Sequence, residues 1–374
     1  MKLIYIANIR IPTEKAHGIQ IMKMCEAFSL TGLEVELVVP WRFNKIKEDI
    51  FNFYGIKKNF KIKKIFSLDL IPLSIPKICF WIQSLTFSIS VFIYLFFKKI
   101  DIIYSRDSFL LYLLSFFKKN IILELHTFPK NLFLHKRVFK KSKAIIVITN
   151  SLKESLIKNG IDKHKILVAP DGVDLEKFDI NISKEEAREK LNLPLDKKIV
   201  LYTGHLYKWK GVQVLADASE FLDEDTIVIF VGGTEKDKKE FEEKNKELNN
   251  ILILGHKPYS DIPYYLKAAD VLVLPNSGKI NISKSWTSPM KMFEYMASKR
   301  PIIASDLTSI REILNENNAI LVKPDNCQEL SKCIKKGLEE TNFFDKIATE
   351  SYQDIQKYTW TKRTENILKF INGN

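Results

Sequence analysis

Short apolar runs alternate with longer stretches of helical periodicity along the whole chain. Continuous apolar runs predict strands buried on both faces, and apolar residues recurring every three or four positions predict helices packed on a sheet. This alternation is typical of parallel sheets covered by helices, and the strands fall into two sets of similar length, so we expect two doubly wound α/β domains. The predicted strands are Lys2–Ala7, Val35–Val39, Asp101–Ser105, Ile121–Leu125, Ala144–Ile148 and Ile166–Ala169 in the first set, and Ile199–Thr203, Thr226–Val231, Ile251–Leu254, Val271–Leu274, Pro301–Ala304 and Ala319–Val322 in the second.

The helical patterns lie between these strands. A polar stretch, Asp174–Lys198, separates the two sets and is the predicted linker. We therefore expect a first domain over residues 1–178 and a second over residues 179–358, followed by a final helical segment over residues 359–374. The predicted helices are Gly18–Leu30, Leu152–Lys158, Val212–Glu220, Ile262–Ala268, Pro289–Ala297, Glu329–Glu339 and Thr361–Ile371.

Composition adds a compartment and a class of partner. The length of 374 residues suits two domains. The net charge of +13 favours an anionic partner, and charge alone does not distinguish nucleic acid, acidic phospholipid and a phosphorylated substrate. Many lysines lie beside apolar segments, as in a solvated surface, and no nucleic-acid-like basic tail is present in the sequence. The four cysteines lack metal-ligand spacing and form no secreted-type framework, so we expect a reducing, cytoplasmic compartment.

The segment Ile78–Phe97 contains no charged residue and is long enough to span a bilayer. Several serines, a threonine and Gln83 interrupt it, and a strand-like run follows at once. We favour a helix of the domain, or one lying in the membrane interface, over a membrane span. A peripheral position on the inner face of the cytoplasmic membrane therefore stays open.

The turn after the first strand excludes two large enzyme classes. It contains no G-x-G-x-x-G, and no G-x-x-x-x-G-K-[ST] occurs anywhere, which argues against a dinucleotide-binding dehydrogenase and a P-loop enzyme. Gly18 is predicted to open the following helix, where an unobstructed backbone suits an anion. The alternative is that Gly18 only eases the turn.

The strongest chemical signal lies in the predicted helix near Pro289. Thr287 or Ser288 can cap a helix whose first turn contains Pro289, leaving backbone N–H groups aimed at an anion. Glu294 lies over a turn further on, where its carboxylate can accept hydrogen bonds from ribose hydroxyls. This helix start predicts a site for a nucleotide phosphate and ribose.

The run Ser288-Pro289-Met290-Lys291 with Glu294-Tyr295-Met296-Ala297 resembles glycosyltransferase family 4, a retaining family of GT-B fold, and the resemblance extends almost along the full length. It implies two Rossmann-like domains facing across a cleft, an acceptor-binding N-terminal domain, a donor-binding C-terminal domain, and a last helix that crosses back to the first domain. In the family's E-x7-E pattern Glu294 matches the second Glu, whereas Trp286 stands in the place of the first. This departure leaves open which group contacts the transferred sugar.

The resemblance assigns further residues. Lys210, before the second glycine of Gly204-His205-Leu206-Tyr207-Lys208-Trp209-Lys210-Gly211, matches the family's lysine that neutralises the donor diphosphate, and His205 stands where the family usually has Arg. His126, after a predicted strand, matches a histidine near the transferred sugar. The implied catalytic residues are His126 and Lys210, and the implied donor-binding residues are Gly18, His205, Lys210, Gly232, His256, Thr287, Ser288, Pro289, Met290, Lys291 and Glu294.

The implied function is transfer of a sugar from a nucleoside-diphosphate sugar to a glycan or lipid-linked acceptor in bacterial surface polysaccharide or lipopolysaccharide synthesis. Lysines and helix starts would do the work of a metal, and the one D-x-D, Asp223-Glu224-Asp225, is predicted to be a solvated turn, so we expect no metal or other cofactor. An anionic membrane surface is a further candidate partner and nucleic acid is not. The alternatives are a catalytically silent, membrane-associated scaffold, favoured only by Trp286, and a sugar-nucleotide epimerase of the same fold.

Overall fold

The computed structural model describes residues 1–69, 76–129 and 132–373. These residues form two compact units, the first comprising Met1–Ile148, Leu152–Pro170 and Trp360–Asn374 and the second comprising Thr149–Ser151 and Asp171–Thr359. Each unit is built on its own parallel sheet, which confirms the predicted α/β architecture of two Rossmann-like domains.

The first sheet has seven strands in the order β3-β2-β1-β4-β5-β6-β7, and all of its pairings are parallel. Its inner strands are almost entirely buried, as expected for a sheet covered on both faces. The strands are β1 (Lys2–Ile6), β2 (Glu34–Pro40), β3 (Lys61–Ile65), β4 (Ile102–Ser105), β5 (Ile121–Leu125), β6 (Ala144–Val147) and β7 (Ile166–Val168). The helices in this part of the chain are α1 (Ala16–Leu30), α2 (Ile50–Tyr54), α3 (Pro76–Phe96), α4 (Ser108–Leu114), α5 (Leu132–Lys141) and α6 (Asn150–Lys158).

Strand β3 lies at the edge of this sheet and was not among the predicted strands. Its sequence, Lys-Ile-Lys-Lys-Ile, has no apolar run, and the lysines of this strand point largely to solvent. Lysines on an edge strand discourage pairing with another chain. A strand with one open edge therefore does not need the continuous apolar pattern that identified the central strands.

The second sheet has six parallel strands in the order β10-β9-β8-β11-β12-β13. Its strands are β8 (Lys198–Thr203), β9 (Thr226–Val231), β10 (Ile251–Gly255), β11 (Val271–Leu274), β12 (Ile302–Ser305) and β13 (Ile320–Val322). The helices that follow in the chain are α7 (Leu175–Phe178), α8 (Lys184–Leu191), α9 (Val212–Ser219), α10 (Glu235–Lys244), α11 (Ile262–Ala268), α12 (Asn281–Ser285), α13 (Met290–Ala297), α14 (Thr308–Arg311), α15 (Cys327–Glu339), α16 (Thr341–Ile355) and α17 (Trp360–Gly373). Single 3₁₀ turns span Lys163–Lys165, Lys208–Lys210 and Tyr259–Asp261.

The chain enters the second unit at Asp171, earlier than the boundary predicted at residue 178. Val173 bridges to Thr359 within the second unit, and Val173 and Phe178 belong to the core beneath its sheet. The predicted linker Asp174–Lys198 is correspondingly structured, because it contains α7, α8 and the buried Ala187. Polarity of the outer faces of two short helices made this stretch resemble a linker.

The last helix, α17, belongs to the first unit and packs on α1 and β6. Arg363 anchors it: the buried guanidinium donates from Nε to the carbonyl oxygen of Pro170 at 2.8 Å and from Nη2 to the Glu124 carboxylate at 3.1 Å. The C-terminal segment therefore completes the domain in which the chain begins.

Among the described residues one helix, Ile78–Phe96 within α3, is long and apolar enough to cross a membrane, with a mean hydropathy of 1.8. In the structure α3 contacts α4 and β3 of the first unit.

Candidate active site

Three turns lie side by side where β8, β9 and β10 end. These strands are neighbours in a parallel sheet, so their carboxyl ends meet at one edge, where ligands of open α/β sheets bind. The Gly232 amide donates to the carbonyl oxygen of Gly255 at 2.7 Å, and the Gly204 amide donates to that of Val231 at 2.7 Å. Gly232 has a φ of 122°, and a Cβ there would lie 2.4 Å from the Gly204 oxygen, so only glycine fits.

Lys210 ends the 3₁₀ turn that follows β8. The next residue, Gly211, has a φ of 71°, and a Cβ on it would lie 1.7 Å from the carbonyl oxygen of Pro275, so this turn runs directly against the end of β11. The Lys210 ammonium lies 3.9 Å from the ring centroid of Trp209. The side chain keeps some contact with solvent, and desolvation nevertheless lowers its pKa to about 7.

Helix α13 begins beside these turns, one residue later than predicted. Pro289 is its N-cap and makes no side-chain cap bond, so the prediction that Thr287 or Ser288 caps the helix is wrong. The Ser288 hydroxyl accepts a hydrogen bond from the amide of Asp171 at 3.1 Å instead. Thr287, Ser288 and Pro289 are buried and Met290 is partly exposed. The first amides of α13 precede its hydrogen-bonded ladder and suit an anion.

Lys291 connects α13 to the end of β8. Its buried ammonium donates to the carbonyl oxygen of Thr203 at 2.8 Å and lies 3.5 Å from the ring centroid of Tyr202. Desolvation, and then the charge of Lys210, hold its pKa well below the usual value. The ammonium groups of Lys291, in the first turn of α13, and of Lys210 are therefore close enough to repel each other.

Glu294 lies one turn further along α13 and is buried. The hydroxyl of Tyr259 donates to its Oε1 at 2.9 Å. Desolvation raises the pKa of this carboxyl to about 7, although the Tyr259 hydrogen bond and the Lys291 charge oppose the rise. Two lysine side chains and one carboxyl group, all with pKa values shifted by desolvation, are thus brought together at this edge of the sheet.

Two tyrosines position this helix and were not predicted. Tyr295 accepts a hydrogen bond from the Thr203 amide at 2.8 Å, and Tyr259 holds Glu294. Tyr295 lies inside the Glu294-Tyr295-Met296-Ala297 run, which offered a signal, whereas nothing in the sequence around Tyr259 distinguishes it from a core tyrosine.

The two histidines of this unit differ in exposure. His205 stacks on Tyr207 with ring centroids 4.8 Å apart, and its carbonyl oxygen accepts from the Tyr202 hydroxyl at 2.7 Å. His256 follows β10 and is exposed at the same edge of the sheet. Both therefore lie on turns that border the glycine turns.

The remaining predicted site residues belong to the first unit. His126 follows β5, and its Nε2 lies 2.6 Å from Oε1 of the buried Glu124. Gly18 does not open a helix, because α1 begins at Ala16 and the Gly18 amide donates to the carbonyl oxygen of Lys15 at 2.8 Å. A Cβ on Gly18 would lie 2.5 Å from both Thr13 Cγ2 and the Tyr54 hydroxyl, so glycine serves close packing here.

The D-x-D sequence lies outside this arrangement. Asp223 pairs with Lys335 at 2.7 Å, and Asp225 pairs with Lys198 at 2.9 Å. Both carboxylates are exposed in the turn before β9, as the sequence indicated.

Two parallel-sheet units, one of them with two lysines at its strand ends, are compatible with a GT-B glycosyltransferase, and the comparisons with known proteins identify that class. Residues 183–359 match the family described as glycosyl transferases group 1, and residues 18–177 match glycosyltransferase family 4. The two matches together cover nearly the whole chain. The protein belongs to this family of glycosyltransferases.

Individual relatives are more distant. The chain is 28% identical over 246 residues, covering 63% of this chain, to the Bacillus subtilis glycosyltransferase TuaC, whose name assigns it to teichuronic acid biosynthesis. It is 32% identical over 188 residues, covering 47% of this chain and 44% of the relative, to an Escherichia coli galactosyltransferase named for UDP-Gal and a GlcNAc-diphosphoundecaprenol acceptor. The matched region spans only 59% of the length of TuaC.

The fold is shared with solved structures over the full length. HepE of Anabaena, crystallised with UDP and glucose, superimposes with a TM-score of 0.77 at 17% identity and covers 100% of both chains. At this identity the likeness concerns the fold.

Proposed function

We propose that this protein transfers a glycosyl group from a nucleoside-diphosphate sugar to a hydroxyl of a glycan or lipid-linked acceptor, with retention of anomeric configuration. Family membership supports the transfer reaction, and the resemblance to family 4 supports retention. The names of the two curated relatives support an acceptor in bacterial surface polysaccharide or lipopolysaccharide synthesis.

One observation supports the donor site above all others: Lys210 and Lys291 converge, and neither pairs with a carboxylate within the described part of the chain. Two desolvated ammonium groups that form no direct ion pair with a carboxylate are costly, and a diphosphate would relieve that cost. In the proposal the diphosphate contacts Lys210, the start of α13 and His205, while Glu294 accepts hydrogen bonds from the ribose. Gly232 and His256 border the nucleotide.

The proposed step breaks the bond between the anomeric carbon and the diphosphate oxygen, and the electron pair leaves with the nucleoside diphosphate. The acceptor oxygen bonds to the anomeric carbon from the same face, and its proton passes to the departing phosphate oxygen. Lys210 and Lys291 stabilise the charge that develops on the leaving group. His126 is proposed to contact the transferred sugar, and the two lysines make a metal ion unnecessary.

The proposed reaction takes place in the cytoplasm and requires no nucleic acid. Its acceptor would be made at, or delivered to, the inner face of the cytoplasmic membrane. The net charge of +13 is consistent with anionic substrates and an anionic surface.

The test begins with thermal shifts of the full chain against UDP, GDP, ADP and CMP and their sugars. The preferred donor is then used to measure donor hydrolysis and transfer by wild type, Lys210→Ala, Glu294→Ala and the matched control Lys208→Ala. Lys208 lies in the same 3₁₀ turn but is exposed. We expect the first two variants to lose about 100-fold or more in turnover and the control to stay near wild type.

Wild-type activity in both Lys210→Ala and Glu294→Ala would refute the site. Failure of every nucleotide to bind, and of any donor to be hydrolysed, would favour the silent scaffold that Trp286 suggests. In that case Trp286→Glu, which restores the family's first Glu, provides a direct check of whether this position silences the protein.

A further inference from the structure

The outward face of α3 is apolar from Ile78 to Phe96. Its exposed residues follow one another at spacings of three and four, which places them on a single helical face that we call the apolar stripe. Each stripe residue is 47–66% exposed, and none is polar or charged. The apolar stripe consists of Ile78, Trp81, Leu85, Ile89, Ile93 and Phe96.

The opposite face of α3 is buried and partly polar. Gln83 Nε2 donates to Asn8 Oδ1 at 2.9 Å, and Asn8 Nδ2 donates to the Ser84 hydroxyl at 3.1 Å. A surface helix of a water-soluble domain normally buries its apolar side and exposes its polar side. Helix α3 instead buries polar side chains and exposes apolar ones. Its exposed side is therefore suited to contact with an apolar partner and not with water.

Neighbouring aromatic residues widen the apolar stripe. The Trp81 ring lies 5.8 Å from that of Phe109 in α4, and the Phe92 ring lies 4.9 Å from that of Phe117, which is itself exposed. The stripe alone extends over about 27 Å of helix at 1.5 Å per residue. Exposed apolar patches of this extent mark interaction surfaces.

Lysines surround the C-terminal end of α3. Lys63 of β3 lies 6.0 Å from the Tyr94 ring, and Lys118 donates to the carbonyl oxygen of Phe96 at 3.3 Å, which brings β3 and the end of the α4 region to this point. Among the described residues Lys63, Lys64, Lys99 and Lys119 are exposed and pair with no carboxylate.

The nearby acids are already engaged. Glu36 pairs with Lys98 at 3.1 Å, and Glu34 pairs with Lys2 at 3.2 Å and with Lys61 at 3.8 Å. The border of the apolar stripe is therefore positive.

We propose that the apolar stripe and its lysines dock the protein on an anionic lipid bilayer, with α3 lying in the plane of the interface. The stripe enters the boundary between headgroups and acyl chains, Trp81 sits at headgroup depth, and the lysines contact lipid phosphates. A membrane span is disfavoured because it would expose the Gln83 and Ser84 hydrogen bonds to lipid. A second copy of the chain is disfavoured because pairing of two apolar stripes provides no anionic partner for these lysines, whereas the phosphates of an anionic bilayer do.

The test is cosedimentation of the full chain with vesicles of phosphatidylcholine alone and of phosphatidylcholine mixed in equal parts with phosphatidylglycerol. We expect binding to the anionic vesicles that weakens with added salt. The triple variant Trp81→Ser, Ile89→Ser, Ile93→Ser should lower the partition coefficient by about tenfold or more. Its matched control is Leu195→Ser, Phe221→Ser, Phe343→Ser, which removes three exposed apolar residues from the second unit and should bind as wild type does.

Charge-reversal variants separate the contribution of the lysines to membrane binding from that of the apolar stripe. Reversing Lys63, Lys64, Lys99 and Lys119 to Glu should abolish the preference for anionic vesicles. The control reverses four exposed lysines of the second unit to Glu and changes the net charge by the same amount. It should preserve most of the preference for anionic vesicles. These lysines are Lys236, Lys239, Lys244 and Lys246. Nucleotide thermal shifts should persist in every variant, because the docking face and the proposed donor site are independent.

Four results would overturn the proposal. The first is no binding of wild type to anionic vesicles at low salt, and the second is equal binding by the stripe variant and its control. The third is a wild-type protein that elutes as a dimer in size-exclusion chromatography while the stripe triple variant elutes as a monomer. That result would show that the apolar stripe binds a second copy of the chain. The fourth is wild-type protein that stays with the membrane after alkaline carbonate extraction, because that result would indicate a membrane span and not interfacial docking.

Discussion

The ammonium of Lys291 lies 2.8 Å from the carbonyl oxygen of Thr203, at the end of the first strand of the second sheet. No carboxylate pairs with this buried cation in the described part of the chain, and a backbone dipole and the Tyr202 ring take its place. Burial of this charge therefore raises the free energy of the folded protein, and a bound anion would compensate for it.

Lys291→Met should consequently separate stability from binding. Removing a desolvated charge in favour of an apolar side chain of similar length is expected to leave the free energy of unfolding unchanged or raise it by about 1 kcal/mol. The affinity for the preferred nucleotide should fall by about tenfold or more. Urea unfolding and calorimetric titration measure the two quantities, and Lys208→Met is the control. A destabilised variant with wild-type affinity would show that Lys291 is purely structural.

Lys210 predicts a pH dependence of donor affinity. Its pKa is lowered to about 7 by desolvation, so the ammonium is charged below that pH and loses its proton above it. An anionic ligand favours the charged form, so affinity should be highest below about pH 7 and fall by up to about tenfold per pH unit above it. Lys210→Arg stays charged and should remove this decline.

A nucleotide sugar is the right ligand for that titration, because its diphosphate has no group titrating near neutrality. Histidine is the other residue type whose charge commonly changes near neutral pH, and His205 lies in the same turn region, so the experiment is repeated in His205→Asn. If the decline in donor affinity with pH persists in Lys210→Arg and disappears in His205→Asn, the titrating group is His205 and not Lys210.

Glu294 predicts a pH-dependent cost to stability. Desolvation raises the pKa of its carboxyl from 4.5 to about 7 in the folded state, so the folded protein holds this proton more tightly than the unfolded chain does. Stability should therefore decrease as pH rises from about 4.5 to about 7. Glu294→Gln should be more stable than wild type by about 2–3 kcal/mol at about pH 8, with the difference vanishing near about pH 4.5. Equal stability at both pH values would contradict a buried, shifted carboxyl.

The sequence was informative where a single segment carries the signal. The bounds of β9 and β11 agree with the predicted strands, since a strand covered on both faces is largely apolar. The Lys210 turn and the helix with Glu294 were recognisable because their residues match the motifs of a known family. Edge strand β3 was not, because its lysines replace the apolar run.

Relationships between distant segments could not be predicted. Tyr259 reaches Glu294 from another turn, and the Ser288 hydroxyl serves the Asp171 amide rather than the helix that it precedes. The unit boundary depends in the same way on Val173 bridging to Thr359. Each depends on which elements the topology brings together, and local propensity does not encode that.

Gly232 should tolerate no side chain. Its φ of 122° is unfavourable for any L-residue, and a Cβ would lie 2.4 Å from the carbonyl oxygen of Gly204, which backbone pairing holds in place. Gly232→Ala should lower the free energy of unfolding by about 3 kcal/mol or more and weaken nucleotide binding. Gly160→Ala is the control, because Gly160 has a φ of 82° with nothing within 4 Å and should lose only about 1 kcal/mol. Similar losses at both positions would remove the close approach as the cause.

Glu124 should be the most sensitive polar residue of the first unit. Its buried carboxylate accepts hydrogen bonds from Tyr104, from Gln20 at 2.8 Å and from Arg363 of α17 at 3.1 Å, and it lies 2.6 Å from His126 Nε2. Desolvation would raise its pKa, but the Arg363 charge and the His126 hydrogen bond hold it well below the usual value, so the group is ionised.

Glu124→Gln removes that charge and breaks its buried ion pair with the Arg363 guanidinium. We expect a loss of about 3–5 kcal/mol in the free energy of unfolding, and faster amide exchange in α17 because Arg363 anchors that helix. His126→Ala removes only one donor and should cost about 1 kcal/mol with α17 exchange unchanged. If both variants accelerate α17 exchange equally, or neither does, the Glu124 carboxylate does not hold the last helix in place through Arg363.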